Sequence, residues 1–252
     1  MTLTAEQRQR YARHLALPEI GEAGQERLRA GRVLVVGAGG LGSPAAFYLA
    51  AAGVGTVGLA DGDRVELSNL QRQILHSVAG LRQRKVDSAS NTLRALNPEL
   101  VVHTYPERLT AKNAAEFLAP YDFVIDATDN FDSKFLIADV CHCAGKANSH
   151  GGIREFLGQT MTVHPGRTAC YRCVFEEPPP EAAPGVGPRG PLGVVPGVIG
   201  TIQAAEAIKH LLGIGKPLVD SLLVFDALAM TFRRVAVRRN PACRLCGRAT
   251  RT

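Results

Sequence analysis

RVLVVGAGGLG, residues 32–42, joins a short apolar run to a glycine-rich turn. Three of the glycines have the spacing G-x-G-x-x-G, and an alanine-rich segment that reaches Ala52 follows as a predicted helix. Between a strand and a helix, such glycines permit a tight turn and let backbone N–H groups approach a phosphate. We therefore predict a nucleotide site at Gly37, Gly39, Gly40 and Gly42. These residues alone do not distinguish NAD from ATP, and a turn that serves only close packing is the simpler alternative.

Apolar runs and helical patterns alternate on both sides of this turn. Predicted helices lie at 5–15, 23–30, 82–96 and 131–144, and predicted strands at 32–36, 56–60, 101–104, 123–126 and 147–149. This alternation is typical of a doubly wound, mostly parallel sheet. Beyond Gly152, a single helix at 200–212 accompanies predicted strands at 159–163, 222–225 and 231–237. We predict an α/β, Rossmann-like mixed sheet whose parallel N-terminal part is continued by antiparallel strands.

The chain length suits one domain. A hydrophobic fraction of 46% over 252 residues is ample for a single large core. We predict one domain over residues 1–252, with N-terminal helices at 1–30, a nucleotide-binding half at 31–150 and a second half at 151–252. The segment 176–195 is rich in proline and glycine, so we expect a surface crossover there and no helix or central strand.

Composition and charge exclude several classes of protein. The net charge is +6, but the basic residues are scattered outside 233–251 and aromatic residues make up only 6%. Nucleic-acid binding is therefore not expected. No apolar run approaches the ~18 residues needed to cross a bilayer, and the N-terminus lacks the apolar segment of a signal peptide. We expect a cytoplasmic protein that binds no membrane.

Charged residues after the turn favour phosphate chemistry. Asp61 ends the second predicted strand at the spacing expected for a carboxylate that binds ribose hydroxyls. Arg72 and Lys85 are suited to balance negative charge on phosphates, and Asp129 is suited to hold Mg²⁺. Each residue also has an ordinary explanation. A lysine at a helix start is usually solvated, and Asp129 has the position of a helix N-cap.

The order of these residues resembles a known family. GAGGLG at 37–42, Asp61-x-Asp63, SNLQRQ at 68–73, Lys85 and TDN at 128–130 are similar to the MoeB/ThiF adenylyltransferases, which are relatives of the ubiquitin-activating enzymes. The resemblance runs from residue 10 to 247 and most favours the molybdopterin-synthase branch. It implies ATP and Mg²⁺ as cofactors, with Asp61 at the ribose and Asp129 at the magnesium. The residues implied to contact the nucleotide are Gly37, Gly39, Gly40, Gly42, Asp61, Asp63, Asn69, Arg72, Lys85, Asp129 and Asn130.

The resemblance also implies a reaction and its partners. The substrate would be a small ubiquitin-like sulfur-carrier protein ending in Gly-Gly, whose C-terminal carboxylate is adenylated. RYAR at 10–13 resembles the motif whose second arginine, here Arg13, acts in the ATP site of a neighbouring subunit, which implies a homodimer. Arg13 alone reads as an exposed helix charge. The implied pathway, whether molybdopterin, thiamine, tRNA thiolation or siderophore synthesis, stays open.

The crossover departs from the family pattern. Many relatives carry a cysteine there, whereas no cysteine occurs between residues 174 and 242 of this chain. We therefore predict a reaction that stops at the acyl-adenylate. No rhodanese sequence follows Cys246, so we expect sulfur to come from a separate donor.

Four of the six cysteines form two C-x-x-C pairs, Cys170 with Cys173 and Cys243 with Cys246. Two such pairs suit a tetrahedral, structural Zn²⁺ site. One pair alone resembles a redox motif, but neither pair is predicted to open a helix after a strand. The resemblance agrees with zinc at these positions. Cys141 and Cys143 lie on an apolar helical pattern, and we predict that both are buried packing residues.

Two other functions are compatible with parts of the sequence. An NAD(P)-dependent oxidoreductase would share the glycine-rich turn but would not need several cations beside it. A catalytically silent, zinc-bound scaffold would share the fold and the cysteines but would not need Arg72, Lys85 and Asp129.

Overall fold

A computed structural model describes residues 2–178 and 190–247, so most of the predicted crossover, 179–189, lies outside the described residues. The helices are α1 Ala5–Arg10, α2 Ala12–Leu15, α3 Gly21–Ala30, α4 Gly42–Ala51, α5 Lys85–Leu96, α6 Ala114–Leu118, α7 Phe131–Cys143, α8 Tyr171–Val174 and α9 Val194–Leu212. The strands are β1 Arg32–Val36, β2 Thr56–Ala60, β3 Val101–Tyr105, β4 Phe123–Asp126, β5 Ala147–Arg154, β6 Leu157–Val163, β7 Ser221–Asp226 and β8 Thr231–Ala236.

The strands form one mixed sheet in the order β3-β2-β1-β4-β5-β6-β7-β8. Neighbours from β3 to β5 pair in parallel, and those from β5 to β8 pair antiparallel. The predicted α/β, Rossmann-like sheet with an antiparallel extension is therefore confirmed. The strand order reverses at β1, because β2 lies on one side of it and β4 on the other.

The central strands are apolar on both faces. Val33 and Val35 point into a core shared with α3, α4, α5 and α9, whereas Leu34 and Val36 point into a second core beneath α6 and α7. Alternate residues of a strand face opposite sides of a sheet, so a strand covered on both sides must be apolar throughout. That requirement explains why RVLVV was recognisable as a buried strand.

Several predicted boundaries were wrong for local reasons. Helix α5 begins at Lys85 instead of residue 82, because Arg82 has a φ of 69° and cannot continue a right-handed helix. The predicted helix 5–15 is interrupted at Tyr11, whose ring is buried. Helix α9 begins at Val194, inside the predicted non-helical crossover, since Pro196 in the first turn gives up no helical hydrogen bond.

Among residues 2–178 and 190–247, no helix combines the length and the apolar character that a membrane crossing requires.

Candidate active site

The glycine turn lies where the strand order reverses. Gly37 follows β1 with a φ of 100°, and its N–H donates to Ala60 O at 2.8 Å. A Cβ on Gly37 would approach Ala127 O to 2.7 Å, so the chain after β4 passes directly against the turn. The connections from β1 and β4 leave on opposite faces of the sheet, and ligands of such folds bind in the resulting crevice.

A cavity of about 310 Å³ occupies this crevice, a size that suits a small-molecule ligand. Its wall brings together predicted residues from five separate segments. The predicted residues that line it are Gly37, Gly39, Gly40, Asp61, Asp63, Arg72, Lys85, Asp129 and Asn130.

Three predicted residues are not among those lining the cavity. Gly42 is a packing position, because a Cβ there would lie 1.8 Å from Gly37 O. Asn69 is buried, and its side-chain oxygen accepts the N–H of Glu66 at 3.1 Å. Arg13 lies exposed on α2, away from this chain's own cavity.

Asp61 is held rigidly at the end of β2. Its Oδ2 accepts the N–H of Ala38 in the glycine turn at 2.8 Å, and its Oδ1 accepts the N–H of Asp63 at 2.8 Å. Each carboxylate oxygen keeps a second lone pair. The carboxylate is thus fixed in the cavity wall with acceptor capacity for ligand hydroxyls.

Lys85 is buried, contrary to the ordinary expectation for a lysine at a helix start. It is 6% exposed, and its Nζ lies 3.1 Å from Asp63 Oδ2. Arg108 approaches the other oxygen of Asp63 at 3.3 Å, but its side chain is 79% exposed. Partial burial opposes ionisation of Asp63, yet the hydrogen bonds and charges of Lys85 and Arg108 hold its pKa below the usual value. The contact with Asp63 holds the ammonium group of Lys85 beside the cavity.

Arg108 and Gln73 also line the cavity. Sequence reasoning missed Arg108 and included Gln73 only as part of the SNLQRQ motif, without a role. Arg108 lies three residues beyond β3, so its position after a strand was a usable signal. Gln73 is buried, and its Oε1 has no hydrogen-bond partner within the described part of the chain. A buried acceptor facing a cavity is suited to receive a hydrogen bond from a ligand.

His76 supports the glycine turn from behind. Its Nε2 lies 2.9 Å from Ala38 O and its Nδ1 lies 3.1 Å from Ser88 Oγ, in a buried setting. These contacts suit the neutral ring that donates from Nε2. Burial lowers the pKa of His76. The hydrogen bond to Ala38 acts in the opposite direction, and the nearby charge of Lys85 lowers the pKa further. This placement suits a structural role for His76 and not the role of a base.

The opposite wall follows β4. Asn130, not Asp129, caps α7, since the Asn130 side chain accepts the N–H of Ser133 at 2.9 Å. The alternative of Asp129 as the helix cap was therefore wrong. Asp129 instead lines the cavity, where a carboxylate is a suitable oxygen ligand for Mg²⁺.

The four cysteines of the two C-x-x-C pairs come from distant parts of the sequence but lie next to one another in space. Their sulfurs all lie within 4.8 Å of one another. The separations are 3.7 Å for Cys170–Cys173, 3.6 Å for Cys170–Cys243 and 3.4 Å for Cys173–Cys246. Four sulfurs about 2.3 Å from a zinc ion define a tetrahedron with edges of about 3.8 Å. The cluster fits a closed, structural metal site.

Burial raises the pKa of Cys170 and Cys246, and neighbouring sulfurs raise them further. The backbone N–H of Asn240 points at the Cys173 sulfur at 3.4 Å. Cys170 occupies the N-cap position of the short helix α8 without a side-chain capping hydrogen bond, so the expectation that neither pair begins a helix was wrong for this pair. The gathering of all four sulfurs nevertheless distinguishes the cluster from a two-cysteine redox pair.

The two remaining cysteines differ from each other. Cys141 is buried against the core of α7, as predicted. Cys143 is exposed, so its predicted burial was wrong. The two residues are two positions apart, and a helix turns about 200° over that interval, which places them on different sides.

Comparisons with known proteins agree with this architecture. A family model described as the ThiF family matches residues 11–245. The sulfur carrier protein adenylyltransferase of Thermus thermophilus is 49% identical, over 98% of this chain and 93% of that protein. The SAMP-activating enzyme E1 of Haloferax volcanii is 46% identical, over 98% and 92%. The crystal structure of E. coli MccB with ATP has a TM-score of 0.82 at 22% identity, over 94% of this chain and 74% of that one, a likeness of fold.

Proposed function

The chain belongs to the ThiF family, and from that premise we propose that it is an ATP-dependent adenylyltransferase. Its substrate is the C-terminal glycine carboxylate of a small ubiquitin-like sulfur-carrier protein that ends in Gly-Gly. The names of the relatives from Thermus thermophilus and Haloferax volcanii support this assignment. The observation that carries it is that Arg72, Lys85 and Asp129 all line one cavity beside the glycine turn.

The chemistry needs positioning more than proton transfer. A C-terminal carboxylate has a pKa of about 3.5 and is already ionised at neutral pH. A carboxylate oxygen attacks the α-phosphorus of ATP, the bond from that phosphorus to the bridging oxygen breaks, and pyrophosphate leaves. Arg72 and Lys85 offset the negative charge that the carboxylate meets and that the leaving pyrophosphate carries.

Asp129, with Asn130 beside it, would hold Mg²⁺ in this cavity. The ion supplies charge neutralisation for the phosphates when it is bound. Asp61 binds the ribose of ATP, and Gln73 offers its unpaired oxygen to the nucleotide. The four-cysteine cluster holds Zn²⁺ as a structural ion.

The active form is a homodimer in which Arg13 of each chain serves the ATP site of the other. The exposed position of Arg13, outside its own cavity, is compatible with that role. The product is the acyl-adenylate, since no cysteine lies between residues 174 and 242 to form a covalent adduct. A separate donor then provides sulfur.

Pyrophosphate exchange with candidate carriers tests the proposal. Purified protein is mixed with ATP, Mg²⁺, labelled pyrophosphate and one carrier at a time, drawn from the molybdopterin, thiamine, tRNA-thiolation and siderophore classes. We expect exchange with at least one carrier and none with the same carrier lacking its last glycine. Nicotinamide binding without any exchange would reject the proposal in favour of an oxidoreductase. A protein that neither binds nicotinamide nor catalyses exchange would favour a silent scaffold.

A further inference from the structure

A buried group of charged side chains lies directly behind the turn at 128–130, where Asp129 is proposed to bind Mg²⁺. We call it the Asp126 cluster, and it comprises Asp126, Thr128, Lys134, His150 and the carbonyl of Gly151. Asp126 ends β4 and is 0% exposed at its side chain, while the side chain of Lys134 on α7 is 9% exposed. Lys134 was not singled out in the sequence.

Both oxygens of the Asp126 carboxylate have hydrogen-bond partners. Its Oδ1 accepts the N–H of Thr128 at 3.0 Å and the hydroxyl of Thr128 at 2.6 Å. Its Oδ2 lies 2.9 Å from Nδ1 of His150, and Lys134 Nζ lies 3.3 Å from the same oxygen. The carboxylate therefore fixes both the backbone and the side chain of Thr128, the residue that precedes Asp129.

Lys134 connects the cluster to a third element. Besides Asp126, its Nζ donates to the carbonyl of Gly151 in β5. One ammonium group thus ties the end of β4, the first turn of α7 and the middle of β5 together. A buried ion pair is a poor means of gaining stability, because apolar residues of the same volume do as well or better. Because the ion pair lies behind the turn at 128–130, we expect it to fix the geometry of that turn.

We propose that Lys134 is a positioning residue that, through Asp126 and Thr128, holds Asp129 against the phosphates of bound ATP. The proposal rests on the proposed function, because it assigns the Lys134 contacts to the same nucleotide site. Lys134 does not itself line the cavity, so its effect must pass through the turn at 128–130. Outer partners of metal ligands typically change metal affinity or activity by about 10–100-fold when they are removed.

The matched variants are Lys134→Met, Lys134→Arg and Lys146→Met. Lys146 is a suitable control, since its Nζ also donates to two carbonyls, those of Ala119 at 3.0 Å and Tyr121 at 2.7 Å, but it does not line the cavity. Calorimetry measures ATP binding with and without Mg²⁺ in the absence of carrier. Thermal unfolding and steady-state kcat and KM for exchange complete the comparison.

We expect Lys134→Met to weaken Mg²⁺-dependent ATP binding by about tenfold or more and to lower kcat by a similar factor. The KM for the carrier should change little. Lys134→Arg should lie closer to wild type than Lys134→Met in both quantities, because a guanidinium keeps the positive charge and offers N–H donors to Asp126. Lys146→Met should lower the melting temperature without changing either quantity.

A Lys134→Met protein that melts earlier but binds Mg²⁺-ATP as wild type does would overturn the proposal. If that variant does not fold, Thr128→Val removes the hydroxyl bond to Asp126, and unchanged Mg²⁺ dependence in it would have the same consequence. Failure of the proposed function is separable. Wild-type protein that binds Mg²⁺-ATP but adenylates no carrier contradicts the function and leaves the binding comparison decisive for Lys134.

Discussion

At the scale of single residues, the proposed phosphate binding in the cavity depends on the buried side chain of Lys85. Lys85 is held by Asp63, whose carboxylate also meets the exposed Arg108. A charge fixed in a partly buried wall acts on phosphates without reorganisation, which is why such groups are effective in phosphoryl and nucleotidyl transfer. An exposed cation at the same carboxylate is screened by solvent and contributes less.

Lys85→Met should therefore lower the rate of pyrophosphate exchange by about 100–1000-fold, the range seen when a preorganised electrostatic contact is removed. Arg84→Met is the matched control, because Arg84 is adjacent, exposed and outside the cavity wall. It should retain exchange within about twofold. Exchange rates measured with saturating carrier decide the matter, and equal losses in both variants would mean that the buried position of Lys85 has no special role.

His76 predicts a dependence of stability on pH. Burial holds the pKa of His76 below its unfolded value of about 6.5, so the folded protein binds fewer protons in this range than the unfolded chain. The free energy of unfolding must therefore fall as the pH drops below about 6.5. His76→Gln removes that contribution. Urea unfolding at pH 7.5 and 5.5 should show a smaller loss of stability on acidification for the variant than for wild type, and identical losses would exclude His76 as a source.

At the scale of elements, different glycines of the turn serve packing and ligand binding. A Cβ on Gly42 would lie 1.8 Å from Gly37 O, whereas a Cβ on Gly39 would find its nearest neighbour, Gln73 Nε2, at 3.6 Å. The first contact forces the backbone to move, and the second is an ordinary van der Waals contact. Gly39 lines the cavity and Gly42 does not.

We expect Gly42→Ala to cost at least about 1–3 kcal/mol in the free energy of unfolding, because the close backbone approach at the start of α4 is lost. Gly39→Ala should change stability by less than about 0.5 kcal/mol but weaken ATP binding. Urea unfolding and calorimetry on both variants distinguish the two roles. The reverse pattern, an unstable Gly39→Ala and a stable Gly42→Ala, would be incompatible with this turn geometry.

The same turn shows what a sequence can and cannot predict. The strands 32–36, 56–60 and 123–126 were predicted with their observed bounds, because a strand buried on both faces is a continuous apolar run. Asp61 and Asp129 were predicted at the ligand-binding edge of the sheet because each follows a strand of its parallel part. Lys85 begins a helix, and it was predicted from its charge and from the resemblance to the family. Lys134 was not predicted, since its partners Asp126 and Gly151 become neighbours only after the sheet has formed.

At the scale of the whole molecule, the cysteine cluster joins distant parts of the chain. Cys170 and Cys173 follow β6, and Cys243 and Cys246 follow β8. The contact between Cys170 and Cys243 and the contact between Cys173 and Cys246 each join residues that are 73 positions apart in sequence. The sulfurs pack with Phe135, Met161 and Tyr171 in a small core of their own. A cross-link that closes a loop of this length stabilises a protein by up to about 4 kcal/mol.

Removal of the proposed Zn²⁺ by a chelator should therefore lower the melting temperature by about 10 °C, since about 1 kcal/mol corresponds to about 2–4 °C in a protein of this size. Cys243→Ser should do the same and should reduce bound zinc, measured by elemental mass spectrometry. Cys143→Ser is the control, because Cys143 is exposed and outside the cluster; it should keep both zinc and melting temperature. ATP binding should change by less than about threefold in either variant, since the cavity wall includes none of the four sulfurs. A chelated protein with no zinc and an unchanged melting temperature would mean that the thiols and their apolar neighbours hold this end of the sheet together without a metal.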